Sequence, residues 1–460
     1  MQITCFGAAQ VVTGSCHKVD TEDFSFLIDC GLFQGGKDLS RRNYLPFSFN
    51  PGKLDFLILT HGHIDHCGLL PKLVKKGFSG KIYTSPATAD LLPIMLRDSA
   101  YIQEKDTEHE NKRRIRQGLP ARDPLYTIED AEKVFPLIHP VPYREKITIG
   151  KTLEFTLQDA GHVIGSAIIE LFIIEKGNRK KVVFSGDLGQ NNVPIINDPT
   201  LLEKADYIFI ESTYGDRLHD ISIPRDKQLF DVIKKTINRG GKVFIPSFAL
   251  ERTQELLYDI SEMITKNQSF PKAPIYLDSP LAIKITEVFK KHRELYDTDA
   301  NARKDLPFDF PGLTCTPETE DSKEISKSDE PSIVIAGSGM CTAGRIRHHL
   351  RHGIENPLNT VLFVGYQAPN SLGRILLDGI KEIRMMGRKF NVKAEIQRIG
   401  SFSAHADQKG LTQWLEAFHQ KPKKVFLIHG EKESIDHFSD HLKSLGFSTA
   451  IPEQDKPIKI

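Results

Sequence analysis

Residues 61–66 read HGHIDH and follow directly on the apolar run LDFLIL at residues 54–59. Packing alone rarely gathers three histidines and an aspartate into one hexapeptide; such a group of donors is suited to a cation. Zinc takes imidazole nitrogen and carboxylate oxygen at about 2.0–2.2 Å. Convergence on one ion needs a tight, irregular backbone, and Gly62 gives that freedom between His61 and His63. Asp65 and His66 open a predicted helix, DHCGLLPKLVKKG (65–77), with Pro71 tolerated near its start. His61 and His63 can then face one side of the turn and Asp65 and His66 another, so one motif can serve two adjacent ions.

Two ions need more ligands, and these must come from other strand ends. His162 in DAGHVIGS, Asp187 in FSGDLG and His429 in LIHGE each follow a strand-like run and adjoin glycine. We assign His61, His63 and His162 to one metal, Asp65, His66 and His429 to the other, and Asp187 to a bridge between them. Asp29, in LIDCG, is expected to orient a ligand histidine or the bridging water. The donor set implies two zinc ions per chain, with manganese as the alternative occupant. Most of the other histidines, His109, His139 and His441 among them, are expected to be structural.

Polar residues gathered at strand ends are what open α/β sheets provide. Apolar, β-branched runs recur, from FSFLIDCG (24–31) through KVVFSGDLG (181–189) and YIFIEST (207–213) to KVFLIHGE (424–431). Amphipathic helices fall between them. Residues 224–240 place Leu229, Val232, Ile233 and Ile237 on one face, and residues 250–266 do the same with Leu256, Leu257, Ile260, Met263 and Ile264. From 209 to 395 strand and helix alternate as in a doubly wound unit, whereas the first 208 residues carry short strands separated by Gly, Asp and Pro turns. A chain of 460 residues exceeds one ordinary core, so two domains are expected.

The net charge of +1 excludes a global basic field, so any polyanion site must be local. The charged segment 97–123, which contains KRRIR, reads as a solvated helix and loop. No apolar run approaches the roughly 20 residues that span a bilayer, and the N-terminal stretch lacks secretory features, so a cytoplasmic protein with no membrane partner is expected. The six cysteines are scattered with no Cys-x-x-Cys pair and are expected to be thiols, mainly buried.

The pattern HxHxDH with a later His, Asp and His resembles the metallo-β-lactamase fold superfamily. The stretch between ESTYGDR (211–217) and SAHAD (403–407) is longer than a small-molecule hydrolase of that fold needs, and Glu211, His405 and His429 match motifs A, B and C of the β-CASP nucleases. LIDCGLFQG (27–35), LDSPLA (277–282) and AGSGMCTAGRIRHHL (336–350) are similar to that family as well. Within it, the chain resembles prokaryotic homologues of the endonuclease subunit of the mRNA 3′-end cleavage and polyadenylation specificity factor. The resemblance implies an α/β fold: an αββα metallo-β-lactamase sandwich formed by residues 1–208 and completed by 396–460, with an α/β β-CASP domain inserted at 209–395.

It also implies a zinc-dependent ribonuclease acting on single-stranded RNA, because histidine at motif C marks the RNA-directed branch. A hydroxide bridging the metals would attack phosphorus in line, and His405, oriented by Glu211, would protonate the leaving 3′-oxygen. Cleavage would be mainly internal, leaving 3′-hydroxyl and 5′-phosphate ends. A 5′-3′ exoribonuclease or a DNA nuclease of the same fold is the nearest alternative; a small-molecule metallo-hydrolase or an inactive RNA-binding scaffold stands further off. Ser338 and Gly339, in a glycine-rich loop expected to open a helix, are candidate contacts for substrate phosphates. Ser279, expected as an N-cap before Pro280, and Ser247, after the strand KVFIP, are two more. A homodimer is left open.

Overall fold

The apolar runs become two seven-stranded sheets that share one core. The first has the order Pro457–Lys459, Gln2–Gly7, Cys16–Asp20, Ser25–Ile28, Phe56–Ile58, Lys81–Thr84, Ile138–Pro140. The second runs Thr449–Ala450, Lys424–Ile428, Tyr207–Glu211, Asn178–Phe184, Ala167–Glu175, Leu153–Asp159, Ile147–Ile149. Side chains alternate across each strand. Phe26 and Ile28 join Phe155, Phe184, Phe209 and Phe426 between the sheets. Leu27 faces the other way, into a cluster with Leu57, Leu73, Leu92 and Leu96. On the second sheet Ile208, Ile210, Val425 and Leu427 pack against Leu411, Trp414, Ile435 and Phe438. These come from the helices Gln408–Glu416 and Lys432–Ser444. Strands buried on both faces read as continuous apolar runs, which is why these were legible, and the outcome is a four-layered αββα sandwich.

In this computed structural model, which describes residues 1–219, 222–266, 269–303, 307–368 and 370–460, the sandwich is built from residues 1–218 and 405–460. Residues 219–404 form a second unit. Its parallel sheet has the order Leu313–Cys315, Ile275–Asp278, Ile333–Ala336, Val243–Pro246, Thr360–Phe363, Glu395–Arg398. The sequence boundaries at 208/209 and 395/396 fall inside Tyr207–Glu211 and Glu395–Arg398. Residue pattern identifies a strand but not the sheet it joins.

Two predicted helices differ in detail. The stretch 65–77 forms two short helices, Ile64–Cys67 and Leu70–Lys75. Between them the Leu69 N–H leaves the helical register to donate to the Cys30 carbonyl (2.9 Å), and Pro71 can only begin a helix. The helix expected directly after AGSGM begins only at Ile346. The Ile346 N–H donates to the Gly337 carbonyl (2.9 Å) and the Ser338 N–H to the Ala343 carbonyl (3.3 Å), so residues 337–345 close on themselves as a loop. Ser338 and Gly339 therefore do not lie at a helix start. Ser279 does cap a helix, Pro280–Lys291, and its Oγ accepts from the Ala282 N–H at 3.3 Å. In the segment 97–123, the helix Pro86–Arg116 is buried only as far as Ala100 and runs on into solvent.

The chain ends of the second unit are fastened to each other. The guanidinium of Arg225 lies 4.8 Å from the Phe402 ring centroid, and that of Arg252 lies 5.4 Å from it. Arg225 pairs with Glu255 (3.1 Å) and Asp259 (3.0 Å), both buried. Glu255 also pairs with Arg252, but without Arg225 the Asp259 carboxylate keeps no cation among the described residues; removing one member of a buried pair costs about 3–5 kcal/mol. Arg225→Met is therefore expected to lower the unfolding free energy of this unit by that order, seen as a lower urea midpoint in far-UV circular dichroism. A midpoint equal to that of the wild type would show that the pair contributes nothing net.

Candidate metal centre

The candidate site residues gather where strands end, except Asp65 and His66, which lie in the short helix Ile64–Cys67. Asp29 follows Ser25–Ile28, His61 and His63 follow Phe56–Ile58, and His162 follows Leu153–Asp159. Asp187 follows Asn178–Phe184, and His429 follows Lys424–Ile428. Glu211 is the last residue of its strand. Two close approaches hold these ends together: a Cβ on Gly31 would lie 1.6 Å from the Asp65 carbonyl oxygen, and one on Gly189 1.5 Å from that of Gly161. Only glycine fits at either place.

Two donor groups result. His61, His63, His162 and Asp187 form the first, and Asp65, His66 and His429 the second. In the first, His63 Nδ1 is 3.1 Å from His61 Nε2 and 3.2 Å from His162 Nε2. Asp187 Oδ2 is 3.6 Å from each of those Nε2 atoms. In the second, the Nε2 atoms of His66 and His429 are 3.2 Å apart, and Asp65 Oδ2 is 3.5 Å from His429 Nε2. Asp187 Oδ1 completes this side at 3.3 Å from His66 Nε2. Ligands at 2.0–2.1 Å on the corners of a tetrahedron stand about 3.3 Å from one another. That is the spacing of the donor atoms here, and Asp187 Oδ1 is buried without a hydrogen bond among the described residues. The residues fit divalent ions on both sides of Asp187.

The charges point the same way. Burial holds His61 well below the usual imidazole range and His63 down to about 4, which keeps both rings neutral and able to ligate. At His66 burial is outweighed by Asp187 and Asp29, which raise it. Burial would raise Asp187, but His429 and His66 hold its carboxyl well below the ordinary value. Asp65 is lowered to about 2, with burial opposed chiefly by its hydrogen bond to His429. The carboxylates are thus ionised and demand positive charge.

Beside them lies a third group. His405 Nδ1 is 3.0 and 3.1 Å from the two oxygens of Glu211, and Glu211 Oε1 also accepts from the Leu188 N–H at 2.7 Å. Asp187 Oδ2 is 4.0 Å from the same nitrogen. Burial lowers the affinity of His405 for a proton, but Glu211 more than restores it, to about 9. The four serine and glycine candidates lie in the other unit. Ser247, Ser279 and the Ser338–Gly339 loop follow three adjacent strands, Val243–Pro246, Ile275–Asp278 and Ile333–Ala336.

The comparisons with known proteins agree with this geometry. Residues 10–221 match the metallo-β-lactamase superfamily, 253–376 the Beta-Casp domain, and 389–452 a Zn-dependent metallo-hydrolase RNA specificity domain. Ribonuclease TTHA0252 of Thermus thermophilus is 36% identical over 95% of this chain and 94% of its own length. The chain is a β-CASP member of the metallo-β-lactamase superfamily. Transcription termination factor FttA of Methanocaldococcus jannaschii is 30% identical to this β-CASP protein, over 97% of the chain and 69% of the relative. A solved structure, a protein of unknown function from Enterococcus faecalis, shares the fold with a TM-score of 0.55 at 11% identity, covering 100% of this chain and 99% of that one. A divalent metal is the cofactor of this β-CASP protein.

Sequence reasoning found Asp29 but missed what surrounds it. Asp29 Oδ2 accepts from His66 Nδ1 at 2.7 Å, which leaves His66 Nε2 for a metal. The Thr60 N–H donates to Asp29 Oδ1 at 2.8 Å and the Ser15 hydroxyl to Oδ2 at 3.0 Å. Ser15 Oγ in turn lies 3.3 Å from Nε2 of His17, a buried ring that burial lowers to about 4. Since Ser15 spends its proton on Asp29, neutral His17 must donate from Nε2, and its Nδ1, which has no partner, is then only an acceptor. Thr213 Oγ1 holds His429 Nδ1 at 3.2 Å. Short polar residues leave no spacing signal, and only adjacency to the strand ends could have flagged them. Asp29→Ala is expected to weaken metal retention by about 10–100-fold and Ser15→Ala by less. Metal content after a timed chelator challenge measures both; retention as in the wild type would remove Asp29 from the support of His66.

Proposed function

We propose that this chain is a zinc-dependent ribonuclease that hydrolyses single-stranded RNA, mainly at internal bonds. The observation that carries the reading is the carboxylate of Asp187, whose two oxygens face two separate donor groups, with the Glu211-bound His405 beside it. The relative named ribonuclease TTHA0252, aligned over nearly the full length of both chains, supports RNA as the substrate. His61, His63 and His162 with Asp187 would hold one zinc, and Asp65, His66 and His429 with Asp187 the second. When bound, such ions supply a Lewis-acid clamp on the phosphate and lower the pKa of nearby water.

The rest is the work of side chains. Hydrolysis adds water across the P–O3′ bond: the water oxygen ends on phosphorus, and the 3′-oxygen leaves with a proton. Glu211 accepts from His405 Nδ1–H and stabilises the imidazolium, so the other ring nitrogen can give up the proton that the leaving oxygen needs. The products would carry 3′-hydroxyl and 5′-phosphate ends. Asp29 fixes the ring of His66, and Thr213 that of His429. Ser247, Ser279, Ser338 and Gly339 remain our candidates for contacts to flanking phosphates. The six free cysteines suit a cytoplasmic site of action.

One RNA labelled in turn at its 5′ and 3′ ends tests the reading, run beside matched DNA and the Asp65→Asn, His66→Ala double variant. Internal fragments from RNA, absent with the variant and weak with DNA, are expected. Mononucleotides released from the 5′ end would instead establish an exonuclease, and equal cleavage of DNA would overturn the RNA assignment. His405→Ala should slow cleavage by about 10²–10⁴-fold while leaving zinc content unchanged. Loss of zinc in that variant would make His405 a ligand and not an acid.

A further inference from the structure

The segment 381–393 carries Lys381, Arg384, Arg388, Lys389 and Lys393 against the single carboxylate of Glu382. It folds as a two-stranded antiparallel hairpin, Glu382–Met385 with Arg388–Asn391. Met386 (φ 50°) and Gly387 (φ 79°) form a two-residue turn with both residues left-handed. One face is anchored: Ile383 is 4% and Met385 2% exposed, both within the hydrophobic core of the unit. The other face is open to solvent and sets Arg384 directly opposite Lys389. Like charges paired across strands destabilise a hairpin. Lys389 is relieved by Glu382 at 2.8 Å, but no carboxylate partner is found among the described residues for Lys381, Arg384, Arg388 or Lys393. In a chain whose net charge is only +1, this is a local basic strip on a rigid support.

We propose that this hairpin is a docking strip for the RNA backbone, separate from the metal centre. It rests on the RNA reading above. The chemistry of recognition is that of phosphates: exposed guanidinium and ammonium groups at fixed spacing, held by a backbone that loses little freedom on binding. No aromatic side chain shares the open face with Arg384 and Lys389, so the strip would hold the backbone without reading bases.

The test is equilibrium binding of a labelled oligouridylate to metal-loaded protein, over a series of salt concentrations. The His405→Ala background keeps the RNA intact. Each phosphate neutralised on a single strand contributes about 0.7 to the slope of log K against log salt. The double variant Arg384→Ser, Lys389→Ser, which removes the two opposed charges of the open face, is expected to flatten that slope by about 1.4 and to weaken binding several-fold in about 0.1 M salt. Glu382→Gln, which removes the carboxylate paired with Lys389, is expected to tighten binding by a few-fold. A double variant with the slope and affinity of the parent overturns the strip, whether or not the wild-type protein cleaves RNA. Polyglutamate competing as well as RNA at equal charge would make the occupant an acidic polypeptide and overturn the RNA assignment. If the slope flattens as expected but the wild-type protein cleaves no RNA, the docking strip stands and the ribonuclease reading fails.

Discussion

The carboxylate of Asp187 is where the architecture converges. It meets His61 and His162 through one oxygen and His66 through the other. A single buried carboxylate among that many imidazoles is stable only if the strands that bring them end within a few ångströms of one another. The sandwich meets this condition by running Tyr207–Glu211 parallel to Lys424–Ile428 and Ser25–Ile28 parallel to Phe56–Ile58. Residues far apart in sequence thus deliver their side chains to one edge. Burial of the strands on both faces fixes their register, since a slip of one residue would exchange inner and outer clusters. The precision of the site is therefore inherited from the apolar core.

The electrostatics of the site follow from the same burial. Desolvation keeps His61 and His63 neutral, while the carboxylates of Asp187 and Asp65 stay ionised through their histidine neighbours. An apolar environment penalises charge unless it is paired, so a set of buried carboxylates balanced partly by protons on histidine can exchange those protons for a cation. His405 differs in kind. Its carboxylate partner Glu211 is also anchored by a backbone N–H, so His405 is held at the edge of the donor groups by a fixed carboxylate.

The candidate donors stood out because HGHIDH is dense and because the three remaining candidates each follow an apolar run and adjoin glycine. All seven meet in the two groups expected of them. The strands were legible for a related reason, continuous apolar character. What sequence did not reveal depends on long-range backbone contacts. The Leu69 N–H bonds to Cys30 and so divides a helix that local pattern would have continued. The loop after AGSGM closes on Gly337 before the helix at Ile346 begins, and nothing in local propensity announces that. Ser15, His17 and Thr60 are ordinary residues in sequence, and become support for Asp29 only once two strands lie side by side.

The inserted unit distributes its charges unevenly, although the chain as a whole is nearly neutral. Its sheet is all parallel, and its helices bury their apolar faces, so the charges remaining at its surface are free to be distributed by function rather than by folding. At Arg225 the charge is buried and paired, and its work is structural. In the hairpin 382–391 it is exposed, without a carboxylate partner at Arg384 among the described residues, and there set against Lys389 across the strand pair. Folding alone gains nothing from that register, because the turn and the buried Ile383 and Met385 would hold the hairpin equally well with neutral residues outside. A cost of this kind, borne on a rigid surface, is offset when an anion fills the strip, and a flexible single strand of phosphates can follow such a strip without any demand on its sequence.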